Sequence, residues 1–298
     1  MKRICPPAVL RGEPVAVVAP AGPVDPEALS AGVAWLDRRY RPVVGGGITE
    51  QDGYLAGSDD RRLAELQGAI DNPELRAVLA ARGGYGTTRI LDRLALGGLA
   101  KAPKWVVGSS DLTALLAALY ADLGLVSIHG PMAFRYGEAD AEDLRQLVDL
   151  LEGRPWIPPA GLGSLARGEA RGPLIGGNLT VLAHLAGALP DRYAEGAILF
   201  LEDVGESPYR LDRHLVQLAR AGILPRAAGI VLGEFTDCRP GSDGVSAEEV
   251  MRRSLRPIGI PVAVGYPAAH GKRNYPFLHG GEVVLKAGES SAELIALA

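Results

Sequence analysis

Trp105-Val106-Val107-Gly108-Ser109-Ser110-Asp111-Leu112-Thr113 is an apolar run that passes, through a pair of serines, into a helical pattern. The run is continuous rather than alternating, as in a strand covered on both faces of a parallel sheet. Three more runs of the same kind surround it in the first half: Val15-Ala16-Val17-Val18-Ala19, Ala77-Val78-Leu79-Ala80-Ala81 and Leu125-Val126-Ser127-Ile128. Between them lie helical patterns. One opens at Asp25-Pro26-Glu27, a capping residue followed by proline at the first helical position, and another spans Leu112 to Leu123. Strands alternating with helices predict an N-terminal α/β domain of three layers around a parallel sheet.

From Arg154 to Gly172 the pattern breaks. Arg154-Pro155-Trp156-Ile157-Pro158-Pro159-Ala160-Gly161 is rich in proline and glycine and has no period, so the segment reads as an interdomain connection. It divides the chain into a domain over 1–160 and a second over 172–298. The second carries strand patterns at Ala197–Leu201, Gly229–Leu232, Val262–Val264 and Val283–Lys286. Helices are predicted from Tyr209 to Ala221 and near Ser246 to Arg256, which describes a smaller mixed α/β domain.

A length of 298 residues suits one large or two medium domains. The formal net charge of −4 and the lack of a basic run give no nucleic-acid surface. The two cysteines, Cys5 and Cys238, match no zinc or redox spacing, and no two of the five histidines sit at metal-ligand spacing. Neither a metal nor an organic cofactor is expected. The basic Met1-Lys2-Arg3 start has no apolar region behind it, and no stretch is long enough to span a bilayer. The expectation is a cytoplasmic protein with no membrane partner.

In a parallel sheet, reactive groups gather just past the carboxyl ends of the strands. Ser110 stands there, on a strand-to-helix turn that can hold a hydroxyl clear of the backbone and aim the following amides at a developing oxyanion. A helix cap made by Ser110 or Asp111 explains the same residues. Arg82-Gly83-Gly84-Tyr85-Gly86 allows close approach of backbone to a ligand, or is a tight turn; it lacks the lysine of a phosphate loop. Leu201-Glu202-Asp203-Val204-Gly205-Glu206 ends a strand in carboxylates, which either orient a histidine or cap the helix near Tyr209. His270, between a strand and Gly271, suits proton transfer. His129 competes with it, whereas His184 and His214 read as helix residues and His279 as a turn residue.

Together with Gly176-Gly177-Asn178-Leu179 and Pro267 through Asn274, these motifs resemble the LD-carboxypeptidase family of serine peptidases, in order, from Val15 to about Leu285. The family includes the microcin C self-immunity peptidases. The resemblance implies a serine peptidase that hydrolyses an L,D-amide bond, releasing the terminal D-alanine of murein tetrapeptide in cell-wall recycling. It also implies a homodimer without cofactor, and a site between a parallel-sheet N-terminal domain and a smaller C-terminal one. The nucleophile maps to Ser110, the base to His270 and the carboxylate to Glu202. The oxyanion-hole amides map to Gly84 and Asp111. Arg82 and Asn178 are candidates for holding the substrate. Where the family usually has an aromatic residue before the nucleophile, this chain has Ser109. The microcin-immunity branch offers a second substrate class, aminoacyl- or peptidyl-adenylates; Trp156 could stack on the base, though a packing role explains it more readily. A third reading is a non-catalytic small-molecule binder.

Overall fold

The computed structural model describes residues 3–268 and 270–297. In chain order the first elements are β1 (Pro14–Val18), α1 (Pro26–Asp37), β2 (Arg41–Val44), α2 (Asp59–Asp71), β3 (Ala77–Ala80), α3 (Thr87–Leu91) and α4 (Gly97–Lys101). There follow β4 (Trp105–Gly108), α5 (Thr113–Ala118), β5 (Ser127–His129) and α6 (Ala141–Leu151). The second half holds β6 (Leu162–Ala166), β7 (Gly168–Asn178), α7 (Leu179–His184), β8 (Ile198–Val204), α8 (Pro208–Arg220) and α9 (Ile223–Arg226). It ends with β9 (Gly229–Thr236), α10 (Ala247–Leu255), β10 (Val262–Val264), β11 (Phe277–His279), β12 (Gly281–Ala287) and β13 (Ser291–Ala296).

Two compact units result. The first runs to Trp156 and takes in Pro276–Leu278; the second comprises Ile157–Tyr275 and the chain from His279 onward. The first is built on a six-stranded sheet of order β11-β5-β4-β3-β1-β2, in which β2, β1, β3, β4 and β5 pair in parallel. Its apolar runs are buried on both sides. Ala16, Val18, Val78, Ala80 and Val106 join Leu66 and Ile70 of α2 and Leu115 and Leu116 of α5 in one cluster. The alternate residues Val15, Val17, Leu79 and Val107, which face the opposite side, are equally buried. Asp25 caps α1 by accepting from the Ala28 amide at 2.9 Å, with Pro26 behind it as the sequence predicts. β2 carries no apolar run because it is an edge strand, where Pro42 and exposed residues are tolerated.

The second unit is a closed barrel of order β10-β6-β13-β12-β7-β8-β9. The Arg154–Gly172 segment is not a bare connection: it contains β6 and the start of β7, both barrel strands. Glycine and proline hid them, and the curvature of the barrel explains those residues. At Gly176 the backbone takes φ +114°, and a Cβ placed there would lie 2.3 Å from the Phe200 carbonyl oxygen of the neighbouring β8. Any side chain would push the two strands apart.

Gly176→Ala is therefore expected to lower the unfolding free energy by about 3 kcal/mol, from backbone strain plus overpacking. Gly46→Ala is the control, since an added Cβ there has nothing within 4 Å. Urea unfolding of both variants checks this. Equal midpoints would show that the barrel does not need the close approach.

Candidate active site

The first unit presents Ser110 from a strained turn. β4 ends at Gly108, Ser109 is extended, and Ser110 has φ 59°, a left-handed conformation that costs a non-glycine residue about 1–3 kcal/mol. Ser109 is buried at 5% exposure and Ser110 is half-buried, which separates the two hydroxyls by access. The N-cap positions here fall to Ser109 and Leu112, and neither makes a side-chain cap hydrogen bond. The Asp111 carboxylate instead accepts from the Thr87 amide at 2.8 Å, at the start of α3, and so ties the loop after β4 to the loop after β3. Burial raises the Asp111 pKa against the Thr87 hydrogen bonds and the charge of Arg62, which act to lower it.

The glycine loop after β3 presses on the serine. A Cβ at Gly83 would fall 2.8 Å from Ser110 Cβ and 2.9 Å from its Oγ, so only glycine leaves room for the hydroxyl. The Gly83 carbonyl accepts from the Gly22 amide at 2.9 Å, and Gly84 has φ +105°. Arg82 is exposed, and its guanidinium donates to the Pro23 carbonyl at 2.6 Å, bracing the loop after β1. Sequence reading overlooked Arg62. On α2 it looks like part of a solvated charged face, but it is fully buried and donates to the carbonyls of Pro20 (2.5 Å) and Gly86 (2.8 Å) while pairing with Asp59. One guanidinium thus holds the loops after β1 and β3 together.

The second unit brings Glu202 and His270 together. His270 Nδ1 lies 2.9 Å from Glu202 Oε2; the Glu202 side chain is 1% exposed and that of His270 25%. Glu202 sits where the β8–β9 register shifts between Leu201 and Asp203, a bulge that re-aims the carboxylate while β8 stays paired to β7 through Asn178↔Glu202. His270 belongs to a loop closed by the Ala268–Asn274 bridge and by the Tyr275 amide donating to the Pro267 carbonyl at 2.9 Å. Burial raises the Glu202 pKa, against the hydrogen bonds from His270 and Asn178 and the charge of His270. Burial also works against a charged His270. The hydrogen bond and charge of Glu202, joined by the charge of Asp203, outweigh it and leave the imidazole above its ordinary pKa.

The other candidates fall elsewhere. Asp203 accepts from Asn178 Nδ2, from Thr180 N and Oγ1 and from the Val204 amide, so it serves α7 and not the helix near Tyr209. Glu206 forms an ion pair with Arg210 at 3.6 Å. The Asn178 side chain is buried, donating to Asp203 at 2.9 Å and accepting from the Val181 amide at 3.0 Å. His129 is fully buried in β5 and stacks on Phe277 at 4.7 Å, a core residue. His279 is not in a turn: it ends β11, fully buried, its pKa pushed down to about 3 by desolvation. Trp156 is buried too, 6.4 Å from Phe277, and has no face to offer a nucleotide base. Among the described residues no group of three or more His, Cys, Asp or Glu could hold a metal ion, and no helix is long and apolar enough to cross a membrane.

The family model for the LD-carboxypeptidase N-terminal domain matches residues 15–130, and that for the LD-carboxypeptidase C-terminal domain matches residues 171–285. A murein tetrapeptide carboxypeptidase of Pseudomonas aeruginosa is 36% identical over 288 residues, covering 91% of this chain and 92% of that protein. The crystal structure of a muramoyltetrapeptide carboxypeptidase from Oxalobacter formigenes superposes with TM-score 0.80 at 33% identity, over 95% of this chain and 99% of that one. The microcin C7 self-immunity protein MccF, in complex with aspartyl sulfamoyl adenosine, shares the fold: TM-score 0.86 at 22% identity, over 99% of each chain.

Arg62→Met is expected to cost about 3 kcal/mol of stability, because it leaves two buried carbonyls without donors. Chemical denaturation measures it; a loss below about 0.5 kcal/mol would mean that water takes over the role of the guanidinium.

Proposed function

The chain belongs to the LD-carboxypeptidase family and is a serine-type carboxypeptidase, a hydrolase; from that premise we propose that it releases the terminal D-alanine of murein tetrapeptide, with Ser110 as nucleophile, His270 as general base and Glu202 as its carboxylate partner. The substrate rests on the relatives that carry that activity in their names. The observation that carries the mechanism is the 2.9 Å contact between His270 Nδ1 and the buried Glu202 carboxylate. With Nδ1–H donating to Glu202, the other nitrogen, Nε2, is the basic one.

In this reading Ser110 Oγ attacks the amide carbonyl carbon as its proton passes to His270 Nε2. The backbone amides of Gly84 and Asp111 donate to the oxyanion; one such donor is worth about 3 kcal/mol. The tetrahedral adduct collapses, the C–N bond breaks, and Nε2 returns the proton to the departing D-alanine amine. Water, deprotonated by the same nitrogen, then attacks the acyl-serine ester and frees the shortened peptide and Ser110. The left-handed turn at Ser110 and the bare Cα of Gly83 support the assignment of the nucleophile. Asn178 and Arg82 remain the candidates for contacts to substrate. A homodimer and a cytoplasmic location belong to the same reading and rest on the family resemblance.

Incubation with murein tetrapeptide and, separately, with an aminoacyl sulfamoyl adenosine, followed by mass spectrometry, tests the substrate. Loss of one alanine from the peptide is expected. Cleavage of the adenosine compound alone would transfer the chain to the microcin-immunity activity. Ser110→Ala is expected to abolish turnover and Ser109→Ala to keep most of it; the reverse pattern would overturn the nucleophile.

The pH profile follows from the sign of the His270 shift. A base whose pKa is raised must lose its proton to work, so kcat/KM is expected to rise with pH through a midpoint above about 6.5, the ordinary histidine value. Glu202→Gln removes the charge that raises it and is expected to move the midpoint down while lowering kcat about a thousandfold or more. An unchanged midpoint in that variant would dissociate Glu202 from the base.

A further inference from the structure

We propose that the exposed rings of Tyr54 and Tyr85 form a platform beside Ser110 that holds the acyl part of the substrate, the peptide left on the serine once D-alanine departs. The inference rests on the reading of Ser110 as nucleophile and of murein peptide as substrate, and adds to it a contact that determines specificity.

Single apolar side chains are common on a protein surface, but rings left open side by side mark a surface that meets something. Tyr54 is 67% exposed and Tyr85 46%. Their ring centroids lie 5.8 Å apart with the planes inclined at 54°, so the two make one patch. Both ride on backbone tied to the nucleophile. Tyr85 follows Gly83 and Gly84, and a Cβ on Gly83 would meet Ser110 Cβ at 2.8 Å and Oγ at 2.9 Å. With consecutive Cα atoms about 3.8 Å apart, the Tyr85 Cα stays within about 8 Å of that of Gly83. Tyr54 sits on a turn closed by the Asp52–Leu55 bridge. The Ala56 amide docks this turn on the loop after β1, donating to the Ala21 carbonyl at 2.9 Å. Leu55, 8% exposed, docks it on the loop after β3, its Cδ2 only 2.8 Å from where a Cβ on Gly86 would stand. The Gly22 amide joins the two loops at the Gly83 carbonyl, 2.9 Å away. Tyr54, Tyr85 and Ser110 are thus carried by one contiguous stack of loops within the first unit.

The size of the patch selects the part of the substrate that covers it. The departing D-alanine offers one methyl group, too little for two phenol rings 5.8 Å apart. The acyl part carries the rest of the peptide, and its aliphatic surface is what a ring face removes from water. The rings stand on braced backbone, so little order is lost when the peptide settles on them. Such a contact acts on bound substrate and transition state alike, and it therefore sets KM more than kcat.

The test compares the parent with two full-length double variants, Tyr54→Ala with Tyr85→Ala and Tyr54→Phe with Tyr85→Phe. Each is assayed on murein tetrapeptide, and Ser110 is labelled in parallel with a small fluorophosphonate that does not extend to the rings. The alanine pair is expected to raise KM about tenfold, to hold kcat within about twofold and to take the label at the parent's rate. The phenylalanine pair is expected to keep the parent's KM, because the ring and not the hydroxyl makes the contact. An alanine pair with the parent's KM overturns the proposal. So does a fall in kcat with KM held, or a phenylalanine pair as weak as the alanine pair. Should the alanine pair misfold and lose the label, Tyr54→Ala alone, at the more exposed ring, decides by the same change in KM. A parent that leaves the tetrapeptide intact sinks the proposed substrate and this contact with it. A parent that cleaves it beside an unaffected alanine pair sinks the contact alone.

Discussion

The interaction on which the site depends is the hydrogen bond between His270 Nδ1 and a carboxylate removed from water. Glu202 is fully buried, and isolation at that depth would drive it to pick up a proton. The imidazole across from it, the neighbouring amide of Asn178 and the ladder around it offset that tendency. The exchange is reciprocal: the same low-dielectric setting that raises Glu202 lets its charge act strongly on His270. Much of the second unit can be read as support for this contact. The β8–β9 bulge aims the carboxylate, the Ala268–Asn274 bridge closes the loop that carries the histidine, and the glycines of β7 let that strand follow the barrel beside β8.

The first unit solves a different problem, the presentation of a hydroxyl. The buried central strands of the parallel sheet give rigid ends, and the loops after β1, β3 and β4 lie there. Three contacts fix them: Arg62 to the Pro20 and Gly86 carbonyls, Asp111 to the Thr87 amide, and the Gly22 amide to the Gly83 carbonyl. Ser110 can hold a left-handed conformation because its surroundings are tied down in this way, and strain of this sort persists only where neighbours over-determine it. The absence of a large side chain at position 109 does not loosen the turn, since Ser109 is buried and extended beneath it.

The parallel-sheet unit was legible because its strands are uninterrupted apolar runs, a pattern with one main physical explanation. The barrel was not. β6 and β7 are rich in glycine for the sake of curvature, and glycine in a sequence signals a loop. β2 was invisible because an edge strand needs no apolar run, and β13, Ser291–Ala296, because its residues alternate weakly at the end of the chain. Among the candidate site residues, strand-end position in the sequence singled out Ser110 and Glu202 for consideration. What it could not do was separate His270 from His129, since the two share the same local context and differ in burial. Arg62 acts through hydrogen bonds to the Pro20 and Gly86 carbonyls, distant in sequence, that leave no local trace. For Trp156 the sequence offered either a stacking face or a packing role, and it is buried, as the packing role requires.

The measurement that bears most directly on the assignment of nucleophile and base is covalent labelling with a fluorophosphonate, mapped by peptide mass spectrometry. Such reagents trap a serine whose proton has a waiting base. One label is expected, on Ser110, at a rate that rises with pH as His270 deprotonates and that collapses in His270→Ala. A label on Ser109, or a rate on Ser110 indifferent to the loss of His270, would contradict the triad.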